Sequence, residues 1–459
     1  MQHSQSKLRA RSNKTGLALV ARNLHCVSIK PMAYWIHVGL IALTVLLPQT
    51  RGAADWPLPQ TRPEKAGFSQ ERLEKMHGLI RSYIDQGKHA GAIAVIARNG
   101  KLVDFTTYGF RDLEARAPMR SDTIVRVYSM SKVITSVAVL MLYEEGRFSL
   151  TDPISMYIPE LKDLKVCVGG SPDEPKLVDA KRPITIKHLL THTSGLPYEF
   201  SAIEPVKTMH QRADLWESTS LKDFIQRLAK LPLVQQPGEG FTYGVNIDVL
   251  GYLIEIISGQ PLEQFMQERI FNPLKMKDTG FDVPPEKMSR LAKIYEAGPD
   301  GKLREAKVSF GAYAEKGRGI PSGGGGLFST AGDYLRFGQM LLNGGKLDGK
   351  QILGRKTVEL MMANNLTDLE RGSQPGNPSE GFGLGGGVRL DLAKGNSLGS
   401  IGQFGWNGAA TTSFNIDPKE KTVVLLLTQH FPYNQTGIFA KFYTLFYQAL
   451  VDDPTNLRD

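Results

Sequence analysis

Apolar residues are distributed along this chain in three distinct ways, and each predicts a different kind of element. Residues 33–47 (AYWIHVGLIALTVLL) form one long apolar run with no period. The stretch SQERLEKMHGLIRSYIDQG then places Leu73, Met76, Ile80 and Tyr83 on one helical face, with Ser69 positioned to cap the helix. In GAIAVIARNGKLVDFTTYGF the spacing changes to two apolar strands around Asn99-Gly100, a residue pair favoured in tight turns with positive φ, and this predicts a β-hairpin. Ser129 to Glu145 reads as a long apolar helix ended by Gly146. From about 150 to 320 the chain reads as mostly helix and loop, with ITIKHLL, LKDFIQRLAKL and NIDVLGYLIEIISG as helices between Pro- and Gly-rich joins. A further helix, STAGDYLRFGQMLLNGG, follows the glycine-rich PSGGGG. Residues 367–381 are polar and without period, and the end returns to strands (GFGLGGGVRL, AATTSFNIDP, TVVLLLTQ) and a last helix, GIFAKFYTLFYQALV.

Strands at both ends with helices between them predict an α/β fold of the α+β sandwich type. One antiparallel sheet is built from N- and C-terminal segments and flanked by helices, and a mostly helical lobe is inserted at about 150–320. Such a fold leaves a cleft at the junction of sheet and lobe, where ligand pockets commonly lie.

Composition adds one correction to a first impression. The net charge of +9 suggests a polyanionic partner, but residues 1–54 hold seven Lys or Arg and no acid, which leaves +2 for the rest. The body of the protein therefore offers no electrostatic case for nucleic acid. The basic stretch and the apolar run together read as a targeting segment over 1–54, with residues 55–459 as the folded domain. The run is shorter than the roughly 20 residues of a membrane span, and His37 interrupts it. Gly52 and Ala54 have the small side chains a signal peptidase accepts, so the expectation is cleavage after Ala54 and export to the periplasm or outside. An uncleaved signal anchor is the alternative. Cys26 lies in this leader, which leaves Cys167 as the mature chain's one thiol. It falls in a Gly-, Asp- and Pro-rich stretch (CVGGSPDEP) that reads as a loop, and a structural role is expected for it.

The candidate chemistry begins at Ser129-Met130-Ser131-Lys132, an S-x-x-K at a helix start. Residues three apart share a helix face, so a lysine amine there can reach the serine oxygen. A serine hydroxyl needs a neighbour to take its proton before it becomes a useful nucleophile. The unpaired N–H groups of a helix start can also hold a developing oxyanion. The pattern alone is weak, because Ser4-Gln5-Ser6-Lys7 in the leader matches it too, and Lys14-Thr15-Gly16 makes a spurious K-T-G there.

Context supplies the specificity. VYSMSKVITSVAVLMLYEEGRFSLTDPI, ITIKHLLTHTSGL, PGEGFTYGVNIDVLGYLIEIISG, GGGGLFSTAGDYLRFGQMLLNGG and FGWNGAATTSFNIDP occur in order over most of residues 65–450. In these blocks the chain resembles the serine β-lactamase and penicillin-binding superfamily, specifically the class C β-lactamase-like branch that includes family VIII carboxylesterases. The resemblance implies a β-lactamase/transpeptidase-like fold, Ser129 as nucleophile, and Lys132 with Tyr243 as proton relay. The family's Tyr-x-Asn departs here to Tyr243-Gly244-Val245, so Val245 stands at the Asn position and Asn246 comes one place late. The third motif, Lys-Thr-Gly or His-x-Gly in relatives, is here Trp406-Asn407-Gly408. By the resemblance Ala409 supplies the second oxyanion N–H, Gly408 permits close backbone approach, and Trp406 replaces a cation with an aromatic wall.

Other features take plainer readings. His192 in LTHTSGL is expected to support the fold, and PSGGGG, lacking the Lys-Ser/Thr of a phosphate loop, is expected to be a cleft-edge turn. No H-E-x-x-H occurs, so a zincin is not supported; no metal or cofactor is expected. The departures at Trp406 and Val245 point to a carboxylesterase for short-chain esters acting through an acyl-enzyme. The alternatives are a β-lactamase or D-Ala-D-Ala carboxypeptidase, an acyltransferase, or an inactive binding protein of the same fold. The expected partner is a small-molecule ester or amide, with no nucleic acid and no membrane contact beyond a possible N-terminal anchor. The sequence does not determine the oligomeric state.

Overall fold

The computed structural model describes residues 56–307, 319–368, 370 and 379–452. The expected leader, residues 1–54, lies outside these, as does the polar stretch 371–378.

Asn99 and Gly100 both take positive φ (50° and 72°) and turn strand β1 (Gly91–Arg98) back into β2 (Lys101–Asp112), the hairpin predicted from that residue pair. A short β3 (Ala117–Pro118) follows. The other main-sheet strands come from the far end of the chain: β6 (Glu380–Phe382), β7 (Gly387–Arg389), β8 (Phe404–Gly408), β9 (Thr412–Asp417) and β10 (Thr422–Thr428). They assemble in the order β6-β7-β8-β9-β10-β1-β2-β3, antiparallel throughout. The N- and C-terminal segments meet where β1 pairs with β10, with Val95 opposite Leu425.

All eight residues of β1 are buried, because helices cover both faces of the sheet. Ala92, Ala94 and Ile96 pack on helix α1 (Gln70–Asp85) and on α8 (Ile438–Ala449). The α1 face consists of Leu73, Met76, Ile80 and Tyr83, and Ser69 caps the helix by accepting from the Arg72 N–H at 3.3 Å. Ile93, Val95 and Ala97 face the other way, into a core shared with α2 (Ser131–Glu144) and α7 (Ala331–Leu342). That core runs without a break into the lobe helices α5 (Leu221–Leu228) and α6 (Asn246–Ser258). Helix α2 is apolar nearly all round because it lies between sheet and lobe, buried on every side.

The lobe, which also holds α3 (Ile186–Leu190) and α4 (Val206–Ala213), is not purely helix and loop. Lys165–Gly170 (β4) and Pro175–Asp179 (β5) form a hairpin, so Cys167 sits on a strand opposite Leu177 rather than in a loop. The glycines and prolines in CVGGSPDEP mark only the turn, whereas the flanking Val166, Leu177 and Val178 suit paired strands. Cys167 is a free, half-buried thiol whose Sγ contacts the Gly169 carbonyl at 3.4 Å.

Buried histidines make this fold sensitive to acid. The His89 ring lies 4.6 Å from the His430 ring at a tilt, and burial, with His430 and Lys88 adding to it, pushes its pKa down to about 3. Burial likewise lowers His210 to about 4. In the unfolded chain these rings protonate below about pH 6.5, whereas the native state keeps them neutral. Stability is therefore expected to be unaffected by them above pH 7. Below about pH 6.5 it should fall by up to about 1.4 kcal/mol per pH unit for each ring. Melting temperatures from pH 7 to pH 4 check this, and His89→Gln should flatten the slope; an equally steep slope in that variant would exclude His89 as a contributor.

Candidate active site

The chain enters α2 through one turn of 3-10 helix, Tyr128–Met130. Tyr128 takes φ of +43°, in the left-handed region that side-chain-bearing residues avoid, so the backbone reverses immediately before Ser129. Tertiary hydrogen bonds hold the reversal in place. Val127 N–H donates to Leu327 O at 3.1 Å, Leu327 N–H to Ser131 Oγ at 3.1 Å, and Tyr334 OH to Met130 O at 2.9 Å. Ser129 is consequently a half-buried side chain on a fixed turn that leads straight into the helix.

Lys132 is fully buried one turn further on. Its Nζ lies 3.2 Å from Ser129 Oγ, 3.0 Å from Tyr198 OH and 2.6 Å from Gly324 O. An ammonium has three donors, and all three are aimed at acceptors here. Burial, and after it the Asp248 carboxylate, push the Tyr198 hydroxyl well above the ordinary phenol range, so it stays a neutral O–H. Tyr198 was not anticipated from the sequence; its one signal is its place two residues after LTHTSGL.

Tyr243 lies on the other side of the lysine. Lys132 Nζ is 4.7 Å from its ring centroid, a cation–π contact, and its hydroxyl accepts from Trp406 Nε1 at 3.1 Å. Trp406 is therefore more than a wall, because its indole N–H is spent on the phenol oxygen. Phe382 packs edge-on against Trp406 at 5.1 Å, and Phe241 completes an apolar wall beside Tyr243.

The last turn of β8 closes the site. A side chain at Gly408 would place its Cβ 2.3 Å from Val127 O and 2.2 Å from Thr412 Oγ1, so only glycine lets this strand rest on the turn that carries Ser129. Ala409 follows and packs against the small cluster that contains Tyr128.

Three expectations are corrected. Val245 does not face the cleft: it is 1% exposed and belongs to the main core, because it caps the start of α6 and its side chain turns inward. The Asn407 side chain also points away and donates to Tyr433 OH at 2.8 Å, since strand residues alternate faces and Trp406 takes the cleft side. PSGGGG is a buried wall of the site rather than its edge, and it carries Gly324 O to the lysine. His192 supports the fold. Its Nδ1 accepts from Asn246 Nδ2 at 2.9 Å and Gly244 N–H at 3.3 Å, while burial and then Lys132 hold the ring neutral.

A serine on a strained turn, a buried lysine in contact with it and a tyrosine beside them, in the cleft of a sheet-and-helix fold, define a serine hydrolase. The chain belongs to the beta-lactamase family, whose model matches residues 76–448. Protein Rv1367c of Mycobacterium tuberculosis is 38% identical to it over 367 residues, spanning 78% of this chain and 90% of that protein. Esterase EstB of Burkholderia gladioli is 31% identical over 369 residues, spanning 74% and 85%. Among solved structures, EstCE1, described as a hydrolase with promiscuous acyltransferase activity, superposes with a TM-score of 0.70 at 26% identity, covering 83% of this chain and 99% of its own.

Proposed function

We propose that this serine hydrolase is a carboxylesterase for short-chain, uncharged esters, with Ser129 as the nucleophile. Tyr243, acting as the phenolate beside the Lys132 ammonium, takes the Ser129 proton as Oγ bonds to the ester carbonyl carbon. The N–H groups of Ser129 and Ala409 hold the oxyanion. Collapse of the tetrahedral species breaks the bond to the alcohol oxygen, which leaves with the proton from Tyr243. Water then attacks the acyl-enzyme by the same relay and releases the acid.

The observation that carries this reading is Trp406. Where penicillin-binding relatives present a cation, this cleft has an indole whose N–H is committed to Tyr243. A β-lactam carboxylate would meet a ring there, whereas a neutral ester loses nothing. The esterase activity named for EstB points the same way. The test compares turnover of a short-chain nitrophenyl ester with that of a chromogenic cephalosporin, with Ser129→Ala as blank. Ester turnover is expected to exceed cephalosporin turnover by at least about 100-fold, the discrimination that one misplaced charged contact can supply; rapid cephalosporin turnover without ester hydrolysis would reverse the assignment.

Acyl transfer to an alcohol is a second reading, favoured by the description of EstCE1 and by the apolar wall of Phe241, Phe382 and Trp406. Adding a short alcohol to the ester assay and measuring transesterified product separates the two.

A further inference from the structure

One buried carboxylate has no part in the reaction as written. Asp248 lies on α6, five residues after Tyr243, and is fully buried, as is Lys132. Its Oδ1 accepts from Ser322 Oγ at 2.5 Å and from Gly324 N–H at 3.0 Å, and its Oδ2 takes Tyr198 OH at 3.5 Å. Three donors aimed at one carboxyl group favour its ionised form. Two of these donors also reach the lysine. Tyr198 OH accepts from Lys132 Nζ while donating to Asp248, and Gly324 turns its carbonyl to Lys132 and its N–H to Asp248. Carboxylate and ammonium are thus bridged twice without touching.

This double bridge also accounts for the glycine-rich loop. A Cβ at Gly324 would sit 2.5 Å from Asp248 Oδ2 and 2.7 Å from Tyr198 OH, so any side chain there would push the two apart. The loop's path is fixed further by Thr135 of α2, whose Oγ1 donates to Gly323 O at 2.7 Å. An uncompensated ammonium in so dry a place is costly, and a carboxylate in the same pocket offsets that cost.

We propose that Asp248 is the buried counter-charge of Lys132 and, through Tyr198 and Gly324, the positioning residue that keeps the ammonium aimed at Ser129. This rests on Ser129 being the nucleophile. The titratable groups around the pair are Tyr198 from the loop after LTHTSGL, Tyr243 from the segment before α6, and His192, whose ring stays neutral. Burial raises the Asp248 carboxyl and Lys132 is the first of the groups opposing that rise, which agrees with a paired charge.

The test is Asp248→Asn, which keeps the shape and removes the charge. Two pH profiles are measured: the rate of Ser129 labelling by a fluorophosphonate, and kcat/KM for a nitrophenyl ester. At pH 8 both rates should fall about 10- to 100-fold, with KM little changed. The alkaline limb should move to lower pH, because the ammonium loses the carboxylate to which it is bridged. Tyr198→Phe should shift the limb in the same direction by less, since the Gly324 bridge survives. A wild-type profile in Asp248→Asn overturns the proposal, and so does a loss uniform across pH that follows a lowered melting temperature. If Asp248→Asn does not fold, Tyr198→Phe and Ser322→Ala decide: unchanged profiles in both overturn it, and a shifted limb in either supports it. A wild type that takes no label removes Ser129 as nucleophile instead. A crystal structure of Asp248→Asn then settles the positioning role: Lys132 Nζ still within about 3.5 Å of Ser129 Oγ overturns it, and release of that contact supports it.

Discussion

Ser129→Ala is expected to lower kcat/KM for ester hydrolysis by roughly 10⁴- to 10⁶-fold, the loss typical when a serine nucleophile is removed from a working relay. Among the described residues, no other serine hydroxyl bonds to Lys132 Nζ. Ser131, two residues on, is fully buried and its Oγ accepts from the Leu327 N–H, so it cannot substitute. The remaining rate would come from binding and from the backbone N–H groups, which the substitution leaves in place. The fold should tolerate the change, because the Ser129 side chain is half-buried and Lys132 keeps Tyr198 and Gly324 as acceptors. Steady-state kinetics with a melting curve as control check this. A loss below about tenfold would falsify the assignment of Ser129 as nucleophile.

Tyr243→Phe ranks second, with an expected loss of about 10²- to 10⁴-fold, the usual contribution of one general acid–base group. Most of it should appear in kcat, since the phenol oxygen handles a proton in the transition state and the ring that lines the cleft is retained. Trp406→Phe separates the proton-handling part from the packing part. It preserves the aromatic wall but removes the N–H that the phenol oxygen accepts at 3.1 Å. One hydrogen bond to a charged oxygen is worth about 1.5–3 kcal/mol, so a loss of about 10- to 100-fold is expected. Combining the two substitutions should cost no more than Tyr243→Phe alone, because the indole then has no oxygen to serve. Strictly additive losses would mean that Trp406 acts on substrate rather than on Tyr243.

What could be read from the sequence divides by the range over which each relation acts. The S-x-x-K contact begins locally: three residues along a turn put the Lys132 amine within reach of Ser129 Oγ, and the two lie 3.2 Å apart. Asn99-Gly100 and Ser69 are equally local, and the hairpin and helix cap they predict are present. The sandwich itself was legible because apolar strands stand at both ends of the chain with helices between them. Tyr243 and Gly408 were reached through ordered blocks, since neither lies near Ser129 in the sequence.

The errors came where packing chooses among orientations that a sequence leaves equal. Alternation along β8 sends Trp406 into the cleft and Asn407 out to Tyr433. The start of α6 turns Val245 into the core. Cys167 lay in a stretch whose glycines and prolines concealed the strands on either side.

By itself, then, the sequence determined the serine–lysine pair, the elements and their class of fold, because those follow from residue spacing and backbone preference over a few positions. Only the tertiary structure decided what surrounds the lysine. Tyr198 and Gly324 lie 66 and 192 residues from Lys132 along the chain, and Asp248 lies 74 from the Ser322 that donates to it. Their neighbourhoods, PSGGGG and the stretch after LTHTSGL, stand out in the sequence, but nothing local says that these side chains and peptide groups meet the lysine. They share one buried pocket because α2, α6 and the glycine-rich loop close on each other, and the ammonium buried there has to find its partners among them.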